Sequence, residues 1–202
     1  MGAAGTRQQI LEAADRLFYE QGFEATSFAD IAAAVRLSRG NFYYHFKTKD
    51  EILDAVIALR LTNTGRMLEA WEAGTDNPVE RIRSFIHILI MNRAKIMLYG
   101  CPVGTLCNEL SKLDHAAKED ATRLFALFRD WLARQFAALG RDADAEALAM
   151  HVLMRSQGVA TLATAFRDDA FVQREVEDMC VWLEAQRPGA SRLDPVSPPP
   201  QP

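Results

Sequence analysis

The residues best suited to chemistry in this chain cluster between Thr26 and Lys49. Arg36, Arg39, Lys47 and Lys49 supply cations, and Asn41, Tyr43, Tyr44 and His45 supply hydrogen-bonding side chains among them. From Val35 to Lys49 there is no Asp or Glu. Such a stretch suits a polyanion, because the cations can meet phosphates and no carboxylate opposes them. In a major groove Arg favours guanine and Asn favours adenine. Gly40 lies between Arg39 and Asn41 and has no side chain, so a helix carrying it can approach a duplex closely.

Two further groups of residues invite chemistry. The segment Gly100–Leu110, G-C-P-V-G-T-L-C-N-E-L, holds Cys101 and Cys107. A thiol near a helix N-terminus reacts faster, which makes Cys101 a redox candidate with Cys107 beside it; the other reading of Cys101 is a small buried hydrophobe. Cys101, Cys107 and His115 match no zinc-knuckle spacing, so no metal is expected. The second group is soft and bulky: Met67, Trp71, Met91, Met97, Tyr99, Phe125, Phe128 and Trp131, with Cys101 near them and His87 as a polar anchor. These types line adaptable apolar pockets for small molecules, and they equally make plain core.

The elements that must carry these groups read as helices. Ser27 begins a short helix to about Ala34, with Asp30 three residues on, the spacing of a capping box. Val35-Arg36-Leu37 makes a turn, and Ser38 caps a second helix from Arg39 to about His45. Two helices joined this way form a helix-turn-helix, whose second helix enters the major groove. Ahead of them, Thr6 can cap a helix to Tyr19, with Ile10, Leu11, Ala14, Leu17 and Phe18 on one face, ended by Gly22. Met1–Gly5 reads as a loose arm. Thr48 caps a long helix to about Trp71, and Asp50 and Glu51 suit its positive end. Further helices are expected at Pro78–Tyr99, Val103–Leu110, His115–Leu139, Asp144–Phe166 and Ala170–Gln186. Six of the eight prolines lie in Pro188–Pro202, which cannot pack in a helical core and reads as a disordered tail.

The expected fold class is therefore all-α, with about nine helices: a three-helix head at 1–50, a helical body at 51–187 and the tail at 188–202. A length of 202 residues allows a body with a real core. The net charge of −4 excludes a generally basic nucleic-acid binder, so DNA contact must rest on the local patch. No apolar run reaches the roughly 20 residues of a membrane helix, and three cysteines form no disulfide framework. A cytoplasmic protein without membrane contact is expected. The chain carries no Gly-rich phosphate loop, no G-x-S-x-G and no H-E-x-x-H, so neither catalysis nor a cofactor is expected.

The run from Thr6 to Lys49 resembles the DNA-binding domain of the TetR family of bacterial transcriptional repressors. The matching pieces are I-L-E-A-A-D-R-L-F (Ile10–Phe18), G-F-E-A-T-S (Gly22–Ser27), Ile31-Ala32 and S-R-G-N-F-Y-Y-H-F-K-T-K (Ser38–Lys49). The resemblance implies a homodimer on a palindromic operator, released by a small-molecule inducer of unknown identity. It sets Tyr43, Tyr44, His45, Lys47 and Lys49 on phosphates and Phe42 and Phe46 in the core. Thr26 is then either a phosphate-facing hydroxyl or a loop residue, and Ser27 and Ser38 join the contact surface. The last two helices become the dimer interface, or else internal core. One departure is Arg36, where the family usually has Gly. There it costs about 1 kcal/mol if the backbone is left-handed, and a phosphate contact would offset that strain. The long helix after Thr48 is the expected lever between head and body. Thiol sensing at Cys101 is the alternative mode of regulation.

Overall fold

The computed structural model describes the backbone of residues 3–188 and the side chains of residues 5–188 other than Arg39. Past Pro188, the expected tail lies outside the described residues, as do Met1 and Gly2. Among the described residues all regular structure is helical. The elements are α1 (Ala3–Gln21), α2 (Phe28–Ala34), α3 (Arg39–His45), α4 (Lys49–Gly74), α5 (Pro78–Met91), α6 (Arg93–Tyr99), α7 (Pro102–Lys112), α8 (Lys118–Ala138), α9 (Ala145–Phe166) and α10 (Asp169–Glu184). One 3-10 turn at Asp142–Asp144 precedes α9.

The head is fixed by its own caps. Ser27 Oγ accepts from the Asp30 N–H at 3.1 Å, and the Asp30 carboxylate accepts from the Ser27 N–H at 2.8 Å, closing the capping box. Those bonds from Ser27 hold the Asp30 carboxyl below its usual range. Ser38 accepts from the Asn41 N–H and Thr48 from the Glu51 N–H, so α3 and α4 also begin on side-chain oxygens. Helices of seven residues are marginal alone, and here Ile31, Phe42 and Phe46 bury them against Ile10, Ala14 and Phe18 of α1. The same core continues through Ile52, Leu53, Val56 and Ile57 of α4 into Leu106 and Leu110 of α7 and Ala121 of α8. A second core, built around Trp131, Phe136, Ile82, Ile86 and Val152, joins α4, α5, α8, α9 and α10.

Three details differ from the sequence reading. First, α1 begins at Ala3, so Thr6 is inside the helix rather than at its cap, and Gly5 belongs to the helix rather than to an arm. Second, the single helix expected over 78–99 is two. Asn92 ends α5 and turns its side-chain amide back to the Ile88 carbonyl at 3.1 Å, and α6 restarts at Arg93. Third, α8 starts at Lys118, because residues before it form a turn in which His115 Nδ1 accepts from the Ala117 N–H at 3.0 Å. Gly22 ends α1 at φ +94 as expected, and Arg36 stands at φ +53, the left-handed geometry that glycine would take without strain.

Candidate nucleic-acid interface and body cavity

The cap at Ser38 aims the first turn of α3 outward. A Cβ at Gly40 would meet nothing within 4 Å, so this face of the helix is open. Asn41 is exposed, Tyr44 is 72% exposed, and His45 lies edge-on to the Tyr44 ring with centroids 5.1 Å apart. Tyr43 is partly tethered, its ring 5.2 Å from Phe28. Phe42 and Phe46 are buried, as the resemblance implied. Lys47 is exposed at the end of α3; its Nζ donates to the Tyr43 carbonyl and its N–H to Glu51 at 2.7 Å. Ser27, Arg36 and Ser38 are exposed on the same part of the head. The Arg39 side chain lies outside the described residues.

One expected phosphate contact is corrected, and the side chain of another is engaged within the head. Thr26 is fully buried, and its hydroxyl donates to the Gly22 carbonyl at 2.7 Å, so it tightens the turn instead of meeting solvent. Lys49 is half-buried over the Gly22–Glu24 turn. Its ammonium donates to the carbonyls of Phe23 at 2.9 Å and Glu24 at 3.3 Å and sits 4.2 Å from the Phe23 ring centroid. Arg7, which the sequence reading passed over, places its guanidinium 4.7 Å from the Phe46 ring and so adds a cation beside the end of α3.

The head turn at Gly22–Glu24 is gripped from the body. Glu109 on α7 accepts from the N–H groups of Phe23 and Glu24, each at 2.9 Å, and a Cβ on Gly22 would lie 2.9 Å from that carboxylate. Tyr19 of α1 donates to the Gly100 carbonyl at 2.8 Å, and burial pushes its phenol up to about 12. Arg60 of α4 joins Asp15 of α1 (Nε to Oδ1, 2.5 Å) to the Pro102 carbonyl (2.7 Å) at the start of α7.

Behind these ties lies a cavity of about 500 Å³. Of the expected lining, Met67, Cys101, Phe125 and Phe128 face it. The others do not. His87 is exposed on the outer side of α5, with Nε2 3.9 Å from Cys180 Sγ. Met91 is 80% exposed where α5 ends. Trp71 packs on Trp131, centroids 5.6 Å apart, within the second core, and Tyr99 packs edge-on against Tyr19. The lining residues that sequence reasoning missed include Tyr19 of α1, Arg60 of α4, Phe85 of α5, Ile96 of α6, Leu124 of α8 and Gln157 of α9. Helical spacing within one segment carries no signal for such a union. Cys101 is the N-cap of α7, half-buried, its sulfur accepting from the Gly104 N–H at 3.5 Å. Cys107 is buried, and burial first, then Cys101, pushes its thiol up to about 11, which removes it as a reactive candidate. No helix among the described residues is long and apolar enough to cross a membrane. No cluster of three or more His, Cys, Asp or Glu capable of holding a metal ion occurs among them.

Comparison with known proteins agrees with this architecture. Residues 10–56 match the model of bacterial regulatory proteins of the tetR family, and residues 78–177 match the LmrA/YxaF-like transcriptional regulator C-terminal domain. The HTH-type transcriptional regulator in the lacX 3' region of Lactococcus lactis subsp. lactis is 31% identical over 136 residues, 66% of this chain and 69% of that protein. The HTH-type transcriptional repressor DhaR of Mycobacterium sp. strain GP1 is 26% identical over 65% of this chain and 64% of its own length. A TetR-family regulator from Agrobacterium tumefaciens superposes with a TM-score of 0.78 at 19% identity, covering 90% of this chain and 98% of that one. With a matching head, a matching body and a relative at this identity, the chain belongs to the TetR family of DNA-binding bacterial transcriptional regulators.

Proposed function

We propose that the protein is a homodimeric repressor that holds a palindromic operator through α3 and leaves it when a small molecule occupies the body cavity. The observation that carries this reading is the outer face of α3, which offers Asn41, Tyr44 and His45 around an open Gly40 and has no carboxylate of its own, with Lys47 exposed just past its end. A single seven-residue helix makes few base contacts, and a two-fold pair doubles them and reads a palindrome. The face for pairing is supported by α9 and α10. Met150, Met154, Leu162 and Phe166 lie on a four-residue repeat along α9 that Gly158 interrupts, and Met154 and Phe166 are 60% and 72% exposed; Val181 of α10 is equally bare. An apolar stripe of this length in water marks a partner surface. The functional head then ends inside α4, near residue 50, and the protein works in the cytoplasm with the chromosome.

Release follows from where the cavity sits. Its walls include α1 of the head as well as α4, α7 and α9 of the body, so a ligand that fits only one head position shifts the population towards it. In this reading the lever comprises α7 as well as α4, since α7 borders the cavity at Cys101–Val103 and grips the head at Glu109. A second reading is favoured by the placement of Cys101 at both the cavity wall and the N-cap of α7: adduct formation there would move the same lever. The test is selection of bound fragments from genomic DNA by the full chain, with its mass in solution measured in parallel. A two-fold symmetric motif bound by a dimer supports the proposal; a monomer without sequence preference overturns it.

A further inference from the structure

The cavity lining carries six charged residues: Glu12, Asp15, Glu20, Arg16, Arg60 and Lys95. Their formal charges cancel, but their positions do not. Glu12 and Lys95 are exposed, the Arg16 and Glu20 side chains are 54% and 31% exposed and pair with each other, and the Arg60 side chain is only 11% exposed. The charge held inside the wall is therefore a cation. Its anchors are the Pro102 carbonyl at 2.7 Å, the Asp15 carboxylate at 2.5 Å and, at 3.5 Å, the Asp15 carbonyl, and they differ in kind. The Pro102 carbonyl is fixed at the head of α7, whereas the Asp15 side chain is 37% exposed and can rehydrate if displaced. A nearly buried guanidinium cannot do without an acceptor, so Asp15 leaves readily only for another anion. The same lining holds the rings of Phe85, Phe125 and Phe128, with Phe85 and Phe128 edge-to-face at 5.3 Å, an arrangement that favours a flat aromatic body.

We infer that the cavity takes an aromatic organic anion, whose carboxylate replaces the Asp15 side chain on Arg60 and so removes one of the ties between α1 of the head and the start of α7. This rests on reading the cavity as the effector site, and it adds the class of effector and the bond it breaks. The exchange is non-covalent and conserves charge: Arg60 keeps one carboxylate partner, and Asp15 passes to water. An uncharged isostere fills the aromatic end without supplying that partner.

The experiment uses two matched pairs on the full chain, 2-naphthoate with 2-naphthamide and biphenyl-4-carboxylate with biphenyl-4-carboxamide. Calorimetry reads binding, and fluorescence anisotropy reads the grip on genomic fragments selected by the protein itself. The carboxylates are expected to bind at least about tenfold tighter than their amides, since charge-assisted bonds are roughly twice as strong as neutral ones. They are expected to release DNA where the amides do not. Arg60→Gln should erase the carboxylate advantage while amide binding persists. Asp15→Asn is the second variant, needed if Arg60→Gln fails to fold; it should tighten carboxylate binding and weaken DNA binding without any ligand. Equal binding of acids and amides overturns the anion assignment and leaves the effector cavity standing. Failure of every probe to bind overturns both.

Discussion

The recognition helix and the cavity are built by opposite means. Each helix of the reading unit carries its own start signal: Ser27, Ser38 and Thr48 all accept from a backbone N–H three residues on. The cavity has no such local author, since its walls are drawn from α1, α4, α5, α6, α7, α8 and α9. The difference teaches where change is tolerated. The head needs particular residues at particular offsets, whereas the body needs only helices of the right faces, so effector chemistry can vary over an unchanged reading unit. Arg60, Tyr19 and Glu109 are where the two meet, and they join parts of the chain far apart in sequence.

The head core runs on into α4, α7 and the start of α8 but is distinct from the second core, so emptying it at its α3 end should separate the two regions. Phe42→Ala removes a ring that is 1% exposed and should cost about 3–5 kcal/mol. DNA binding should vanish while hydrogen exchange in α8 and α9 stays slow; equal loosening throughout would erase the distinction. A smaller effect is expected at the grip between regions. Glu109→Gln leaves one amide oxygen where a carboxylate accepts two N–H groups, and should cost roughly 1.5–3 kcal/mol. Its mark is faster exchange at Phe23 and Glu24 before any change in the second core.

The tie through Tyr19 makes a pH prediction. Its phenol is pushed up from an ordinary 10.0 to about 12, chiefly by burial. The folded chain therefore keeps a proton that the unfolded chain has lost, so the contribution is whole below pH 10 and fades as pH rises through about 12. Ultraviolet titration should show a late-ionising tyrosine that Tyr19→Phe removes. The smallest effect concerns Arg36. At φ +53 a glycine relieves strain of about 1 kcal/mol, partly returned through unfolded-chain entropy. Arg36→Gly should thus raise the melting temperature slightly and weaken DNA binding. A melting temperature that falls would show that the turn is not strained.

Much of the head was legible because its signals are local. The capping box and the Gly22 stop follow from spacing alone, and the burial of Phe42 and Phe46 from the family resemblance. The bonds of Thr26 and Lys49 were not legible, because each satisfies a backbone carbonyl of the turn it supports, at Gly22 and at Phe23 and Glu24, which only the folded turn displays. In the body, helical periodicity already argued against His87: it follows Ile86 by one residue, about 100° around the helix from the buried stripe. Met91 failed because α5 stops there, at an Asn that carries no strong breaking signal. Trp71 and Trp131 went to each other. Arg60 and Tyr19 were invisible because their partners lie some 42 and 81 residues away.

The most direct measurement is the affinity of the folded dimer for its selected palindrome with Tyr44→Ala and Lys47→Ala on the exposed face of α3. Neither side chain holds the core, so the variants should melt as the parent does. With two copies of each change per operator, affinity should fall by about a hundredfold or more, and the salt dependence should flatten as phosphate contacts are lost. Undiminished affinity in a folded dimer would contradict the assignment of α3 as the reading helix.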